Sequence, residues 1–502
     1  MLRIVGPAGP LRRRENGPMT QHEVVIMGAG MSGLCMAIAL KRAGMHNFVV
    51  LEKSAGLGGT WWDNRYPGAH VDVPAPLYCF SFEPNPRWQR RFAAAAEIQA
   101  YMAHCARKYA VLPHVRLGTV ITGARFDEGA GLWHIGTERG DAFTARFFVC
   151  STGPLSRPRW PDIAGLDSFA GQRLHSAQWD AGVPLRGRRV AVIGTGSTAA
   201  QLVPPLAALA AHLHVFQRTA NWVLPRLDRP YNTLDRTLAR LPLYSTAVRA
   251  FWREALELGR RGFDEGSFMR RNMLKTARAH LRRGVRGVCD EALRARLRPA
   301  YPLGCKRLIY SNDYYPALSQ PNVELVTDAI ARITPGGVLT LDGREHAADL
   351  LVCATGFDVQ HSLAAVPIIG RQGQPLAQAW AVGPQALLGL TVAGFPNLFL
   401  MLGPNTATGH TSTLLYIEPG VRWVVAAMQE VQRRGRRWLD VKPAVMQAFN
   451  DDLQARLRGA VWSQCRSWYR ADSGRNIAIW PGFTQDYVHA VQAQRFEDFT
   501  FV

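Results

Sequence analysis

The chain has little acid for its size. Its 502 residues carry 38 Asp and Glu against 59 Lys and Arg, a formal net charge of +21, and much of the basic excess is arginine. Such a balance admits an anionic partner, a nucleic acid or a membrane surface. The basic residues form no single run with interleaved aromatics, however, and solvated arginine-rich faces account for them more simply, so no nucleic-acid partner is expected. Also missing is any apolar run long enough to cross a bilayer, so no membrane span is expected. Cysteine is sparse and scattered, at Cys35, Cys79, Cys105, Cys150, Cys289, Cys305, Cys353 and Cys465, with no CxxC pair. That spacing speaks against a zinc site and against a disulfide framework; it reads as reduced cytoplasmic cysteine used as a small apolar side chain, and no metal is expected. Residues 1–21 hold Gly, Pro and the Arg12 to Arg14 cluster but no apolar core of a secretion signal. They read as a disordered extension, with Met19 a candidate start. The remainder is too long for one core and points to two or three domains.

What the chain does have is one pattern written twice. From His22 it reads HEVVIMGAGMSGLCMAIALKRAG and then NFVVLE. An apolar strand runs into Gly28-x-Gly30-x-x-Gly33, a helix follows as far as Gly44, and a second strand stops at Glu52. The glycines let the backbone approach a pyrophosphate, which rests on the amides and positive dipole of the helix start. From Arg189 the pattern returns as RRVAVIGTGSTAAQLVPPLAALAAHLHVFQRT, with Gly194, Gly196 and Ala199 in the three places. Glu52 lies 24 positions after Gly28, and Arg218 lies 24 after Gly194, with Thr219 beside it. A carboxylate accepts hydrogen bonds from a ribose 2′-hydroxyl and repels a 2′-phosphate, whereas a guanidinium binds that phosphate in bidentate fashion. The first turn therefore suits a plain adenosine ribose, as in FAD or NAD, and the second suits NADP. The fold class is α/β, with two Rossmann-like dinucleotide-binding domains.

FFVCSTG (Phe147 to Gly153) and LLVCATG (Leu350 to Gly356) echo each other and read as buried strands that end where the chain crosses between those domains. From about Leu227 to Pro299, Leu, Ala, Trp and Phe recur at helical spacing among arginines, which predicts a helical insertion. The expected layout is a FAD-binding domain over 22–160 and 380–502, a NADP-binding domain over 166–226 and 301–358, and the insertion at 227–300.

GGTWWDNRYPGAHVD (Gly58 to Asp72) and FAGQRLHSAQWD (Phe169 to Asp180) resemble blocks of the Baeyer–Villiger monooxygenases. The second matches that family's fingerprint at Phe169, Gly171, His175, Trp179 and Asp180. YPLGCKRLIYSNDYYPAL (Tyr301 to Leu318) and FPNLFLMLGPNTATGH (Phe395 to His410) continue the resemblance in order. It implies a flavoprotein monooxygenase that uses FAD, NADPH and O2 to convert a ketone to an ester or lactone through a flavin peroxide. By the same resemblance Gly28, Gly30, Gly33, Glu52, Gly59, Thr60, Trp61, Asp72 and Tyr78 line FAD. Thr195, Gly196, Ser197, Thr198, Gln201, Arg218, Thr219 and Lys306 contact NADP, Arg307 is the active-site arginine, and Asp72 is its acidic partner. His175 is implied to orient a linker rather than to act as a base. Cys465 to Phe483 resembles the family's mobile loop over NADP, with altered spacing between Trp468 and Asn476, and His70 stands where several members carry Arg or a small residue.

A nucleophilic oxygen donor needs a fixed positive charge without a ready proton, which arginine supplies. Two alternatives share the cofactors. A flavin-containing monooxygenase of sulfides or amines carries a shorter fingerprint, and a disulfide reductase needs a close cysteine pair, which the spacing does not offer.

Overall fold

The two glycine patterns become the parallel cores of two sheets, the first mixed and the second wholly parallel. The computed structural model describes residues 19–285, 291–361 and 363–502, so residues 1–18 of the expected extension lie outside the described residues. Met19 to Gln21 do not belong to an extension. They open the first strand, Met19–Met27, and pair in parallel with Ala142 to Thr144. The polar sequence of that segment hid this, because a strand end can be held by its backbone ladder alone.

Met19–Met27 sits centrally in an eight-stranded sheet, flanked by Phe48–Leu51 on one side and Ala142–Cys150 on the other. Both neighbours are almost wholly buried, which is why they read as continuous apolar runs. Helix Met31–Arg42 covers one face and buries Leu34, Met36, Ile38 and Leu40. Late chain segments complete this sheet: Ile368–Ile369 pairs with Ile121–Asp127, and Leu398–Leu400 pairs with Ala142–Cys150.

The second sheet has five parallel strands. From one edge to the other they are Val323–Val326, His212–Phe216, Arg189–Ile193, Leu350–Cys353 and Gln172–His175. A three-stranded antiparallel sheet (Ile330–Thr334, Gly337–Thr340, Glu345–Ala347) lies beside it. The insertion forms helices Pro242–Gly259, which packs beside Ala75–Leu77, and Phe268–Gly284, which packs beside Val223–Leu224 and Tyr314–Leu318.

The echoing segments occupy equivalent places. Ala142–Cys150 runs beside the first fingerprint strand and Leu350–Cys353 beside the second. Beyond each strand the chain crosses to the other sheet, and the two crossings lie antiparallel. Pro158 bridges Phe357, Arg159 N donates to Gly356 O at 2.9 Å, and Asp358 N donates to Arg157 O at 2.9 Å.

The expectation that all cysteines are reduced is corrected. Cys305 and Cys465 form a disulfide, with Cα atoms 6.0 Å apart, inside the usual range for such a bond. They are 160 residues apart in sequence, so spacing could not reveal the pair. Cys35, Cys79, Cys105, Cys150 and Cys353 are free and buried, and Cys289 lies outside the described residues.

Candidate active site

Each glycine turn is shaped by backbone crowding. Gly28 has φ +102°, and a Cβ there would stand 2.8 Å from Ser151 O. A Cβ on Gly33 would meet Gly28 O at 1.9 Å, so helix Met31–Arg42 can begin this close to the strand only with glycine. Gly30 caps that helix and faces Gly59, whose own Cβ would stand 2.9 Å from the Gly30 Cα. The buried Glu52 carboxylate accepts from Ala29 N at 2.6 Å and Ser54 N at 2.8 Å, which fixes it at the strand end with lone pairs to spare. In the second turn Gly194 has φ +114° and a Cβ would stand 2.5 Å from Ala354 O, the counterpart of Ser151, while Gly196 faces open space before helix Ser197–Leu209. A cradle that Cβ atoms would fill, at a helix start, fits a dinucleotide pyrophosphate at both places.

The groups expected at the second nucleotide gather around that turn. Thr195 Oγ1 donates to Thr219 O at 3.1 Å, and Asn221 Nδ2 donates to Thr195 O at 2.8 Å. Arg218 is exposed. Lys306 lies with its Nζ 4.7 Å from the centre of the Tyr301 ring. Burial, then the Arg218 charge, lowers the Lys306 ammonium below its ordinary range, as two cations facing one site require. Gln201 ties the turn to the first domain's segment: its Oε1 accepts from Tyr66 OH at 2.9 Å, and its Nε2 donates to His70 O at 3.0 Å. Ser197 and Thr198 open the helix, and Thr198 also bonds the Tyr66 phenol.

Around the expected flavin half, Thr60 and Trp61 form a short helix, Thr60–Asp63. Trp61 Nε1 donates to Tyr78 OH at 3.1 Å with the rings edge to face. A cavity of about 100 Å³ lies at the end of Ala142–Cys150, lined by Thr152, Gly153, Leu402, Thr413, Trp468 and Ile477 among others.

Arg307 and Asp72 meet although 235 residues separate them. Asp72 Oδ2 accepts from Arg307 Nη2 at 2.6 Å and Nε at 3.2 Å, and Nη1 donates to Thr408 O at 2.7 Å. Burial alone would pull the guanidinium down, but Asp72 and then Tyr469 outweigh it and hold it above its usual value. Three phenols, Tyr78, Tyr310 and Tyr469, interact with this pair, and burial pushes each up to about 12.

Sequence reasoning missed the support behind Thr408. Thr408 Oγ1 lies 3.2 Å from His410 Nδ1, and His410 Nε2 lies 3.2 Å from Glu257 Oε1. Glu257 in turn accepts from Thr484 N at 3.0 Å. Thr408 and His410 stood in a quoted block, but Glu257 comes from the helical insertion, where no pattern marked it. Arg226 was also unmarked. It donates to His70 Nε2, and burial, then the Arg226 charge, lowers the His70 imidazole to about 4.

The fingerprint residues lie away from Arg307 in sequence and serve the strand Gln172–His175. A Cβ on Gly171 would meet Asp349 O at 2.5 Å and the Phe169 ring at 2.8 Å. His175 is buried at the crossing, with Nε2 3.5 Å from Thr355 Oγ1 and its ring beside Trp160 and Phe357. Trp179 packs on the second sheet's core, and Asp180 accepts from Gly182 N at 2.8 Å.

Comparison with known proteins bears on this arrangement. The profile of a family described as flavin-binding monooxygenase-like matches residues 21–237. A Baeyer–Villiger monooxygenase of Pseudomonas aeruginosa is 40% identical over 466 residues, 92% of this chain and 88% of that protein. Among solved structures, closed cyclohexanone monooxygenase superposes with a TM-score of 0.87 at 27% identity, covering 97% of this chain and 100% of its own. OTEMO in complex with FAD and NADP superposes with a TM-score of 0.86 at 27% identity, over 97% and 100% of the two chains.

Proposed function

The chain belongs to the Baeyer–Villiger monooxygenase family, and from that premise we propose how its own residues divide the work. It is an NADPH-dependent flavoprotein monooxygenase with FAD as cofactor, and it inserts one oxygen atom of O2 beside a ketone carbonyl to give an ester or lactone. Among the described residues no helix is long and apolar enough to cross a membrane.

Bound FAD, once reduced by NADPH, supplies the oxygen activation. The chain supplies position and charge. Gly28, Gly30, Gly33, Glu52 and Gly59 receive the adenosine and pyrophosphate half of FAD, and Thr60, Trp61, Asp72 and Tyr78 border its flavin half. Thr195 to Gln201 receive the NADP pyrophosphate, while Arg218, Thr219 and Lys306 take the 2′-phosphate. Residues 22–160 and 380–502 then hold FAD, residues 166–226 and 301–358 hold NADP, and 227–300 braces the site from outside through Glu257.

The single observation that carries this reading is the way Arg307 is held. Its guanidinium is fixed at two nitrogens by Asp72 and at the third by Thr408 O. A cation so fixed stabilises negative charge developing on the ketone oxygen without reorganising, an effect on the order of 3 kcal/mol. It also yields no proton at neutral pH, and the phenols beside it, raised by burial, do not either. An environment without a ready acid keeps the oxygen donor nucleophilic, which favours a ketone over a sulfide or amine.

The test is to supply the enzyme with NADPH and O2 together with linear, cyclic and aryl ketones, and separately with an alkyl aryl sulfide, and to identify products by mass spectrometry. Ester or lactone from at least one ketone class, formed faster than sulfoxide, is the expected result. Sulfoxide alone across the panel would move the chain to the electrophilic chemistry of the flavin-containing monooxygenases.

A further inference from the structure

The far end of the five-stranded sheet carries imidazoles that the flavin chemistry leaves unused. The strand His212–Phe216 begins His-x-His, so His212 and His214 point to the same face. The edge strand Val323–Val326 places Glu324 in parallel register with His214, on that same face. The strand Glu345–Ala347 delivers His346 over it, with its ring 5.0 Å from that of His214 and 5.3 Å from that of Phe216. All three imidazoles converge on one oxygen. Glu324 Oε2 lies 3.0 Å from His214 Nδ1, 3.7 Å from His346 Nδ1 and 3.8 Å from His212 Nε2.

The hydrogen bonds fix what these atoms offer. Thr340 Oγ1 donates to Asp342 Oδ1 at 2.6 Å, so it accepts the proton of His346 Nε2 at 3.3 Å. That leaves His346 Nδ1 bare. The residue is 3% exposed, and this nitrogen has no hydrogen-bond partner. A lone pair on the buried His346 and an oxygen of the half-buried Glu324 carboxylate therefore face each other, an arrangement that repels unless a cation lies between them. Neutral imidazole is the form that binds a metal, and the His346-to-Thr340 bond is the outer contact such ligands make.

We propose that His212, His214, His346 and Glu324 bind one divalent cation of the zinc type through three imidazole nitrogens and one carboxylate oxygen. Tetrahedral zinc with ligand bonds of about 2.0–2.1 Å sets its donors roughly 3.3 Å apart; the donors of His212, His214 and Glu324 all lie within 4.8 Å of one another, and His346 Nδ1, 3.7 Å from Oε2, draws in as the fourth ligand when the ion binds. Four protein donors leave no open position, so the ion is structural, joining the three-stranded sheet to the edge of the five-stranded one. It stands roughly 13 Å along the strand from Arg218, away from the NADP-facing end. Arg344 opposes the ion, donating to Glu324 Oε1 at 2.6 Å and to Oε2 at 3.2 Å. Its side chain is 59% exposed and can swing from Oε2 while keeping Oε1. Asp342 partly offsets that charge from the opposite side of His346. Ligands from three strands far apart in sequence leave only His212-x-His214 as a local pattern, which is why the expectation of no metal rested on cysteine alone.

The test uses untagged, chelator-treated holoenzyme titrated with Zn²⁺ by calorimetry and with Co²⁺ by visible absorption. One equivalent should bind, with tetrahedral Co²⁺ bands displaced by Zn²⁺. Loss of a ligand in His214→Gln or Glu324→Gln should weaken binding about 100-fold or more, and Arg344→Gln should tighten it. His212→Asn, at the accessible rim, keeps the test open should a buried variant lose its flavin or fail to fold. No stoichiometric binding by wild type, or equal affinity in wild type and folded ligand variants, would overturn the site.

Discussion

Asp72→Ala should uncouple the enzyme rather than silence it. The carboxylate supplies two of the three hydrogen bonds that the Arg307 guanidinium makes, at 2.6 and 3.2 Å, and the third, from Nη1 to Thr408 O at 2.7 Å, survives the substitution. Arg307 stays protonated, since a guanidinium does not give up its proton within a protein at neutral pH. Held at one nitrogen, the guanidinium pivots, and a displacement on the order of 1 Å at its free end costs about 100-fold in rate. Loss of the charge-assisted bonds to Asp72 removes roughly 1.5–3 kcal/mol each of local fixation, discounted because both side chains are 28% exposed. Asp72→Asn keeps an acceptor without its charge and should fall between, about tenfold below wild type. The assay follows NADPH consumption and ester formation in the same sample. NADPH consumption should continue, with hydrogen peroxide replacing ester, and the KM for NADPH should change little. An unchanged ratio of ester to NADPH in a flavin-replete Asp72→Ala protein would refute the assigned role of the pair.

Three further outcomes follow from the same geometry. Arg218→Ala should raise the KM for NADPH about 30-fold, from the loss of roughly 2 kcal/mol of phosphate binding, while activity with NADH stays level; a parallel loss with both cofactors would remove Arg218 from the 2′-phosphate. His70, lowered to about 4 by burial and by Arg226, is neutral in the fold and charged in the unfolded chain below its ordinary 6.5. Its contribution is present above pH 6.5 and is lost as pH falls toward 4, up to about 3 kcal/mol, so His70→Gln should flatten the decline of Tm between pH 7 and 4.5. Cys465→Ser frees one end of the 465–483 segment from Cys305 and should speed its proteolysis severalfold without changing the KM for NADPH; an unaltered digestion rate would mean that the disulfide does not restrain that segment.

The features legible in the sequence are those that local chemistry dictates. Gly33 is forced by crowding against Gly28 O within one strand–turn–helix unit, and Gly28 and Gly194 turn at positive φ in the same kind of unit, so the spacing announces them, although the backbone each of those two crowds, at Ser151 and Ala354, comes from a distant strand. Glu52 and Arg218 stand at fixed distances from those turns, and the echo of Phe147 to Gly153 in Leu350 to Gly356 marks the paired crossings at which Pro158 and Phe357 meet. The meeting of Arg307 with Asp72 was readable only through a family resemblance, because nothing local joins residues 235 apart. Glu257, His410 and Tyr469 were not readable as part of the site. Their side chains reach the Arg307 neighbourhood through tertiary packing of the insertion and the C-terminal segment. The Cys305–Cys465 bond and the His212, His214, Glu324 and His346 cluster share that origin, as does the strand that begins at Met19.

The most direct test of the central claim is isotopic. Wild type and Arg307→Ala are each supplied with NADPH, a ketone that the wild type accepts, and ¹⁸O₂, and the products are weighed. The wild type should give ester or lactone carrying one ¹⁸O atom, and Arg307→Ala should consume NADPH yet give no labelled ester. Labelled ester from Arg307→Ala at the wild-type rate would contradict the assignment of Arg307 as the group that stabilises the reacting oxygen.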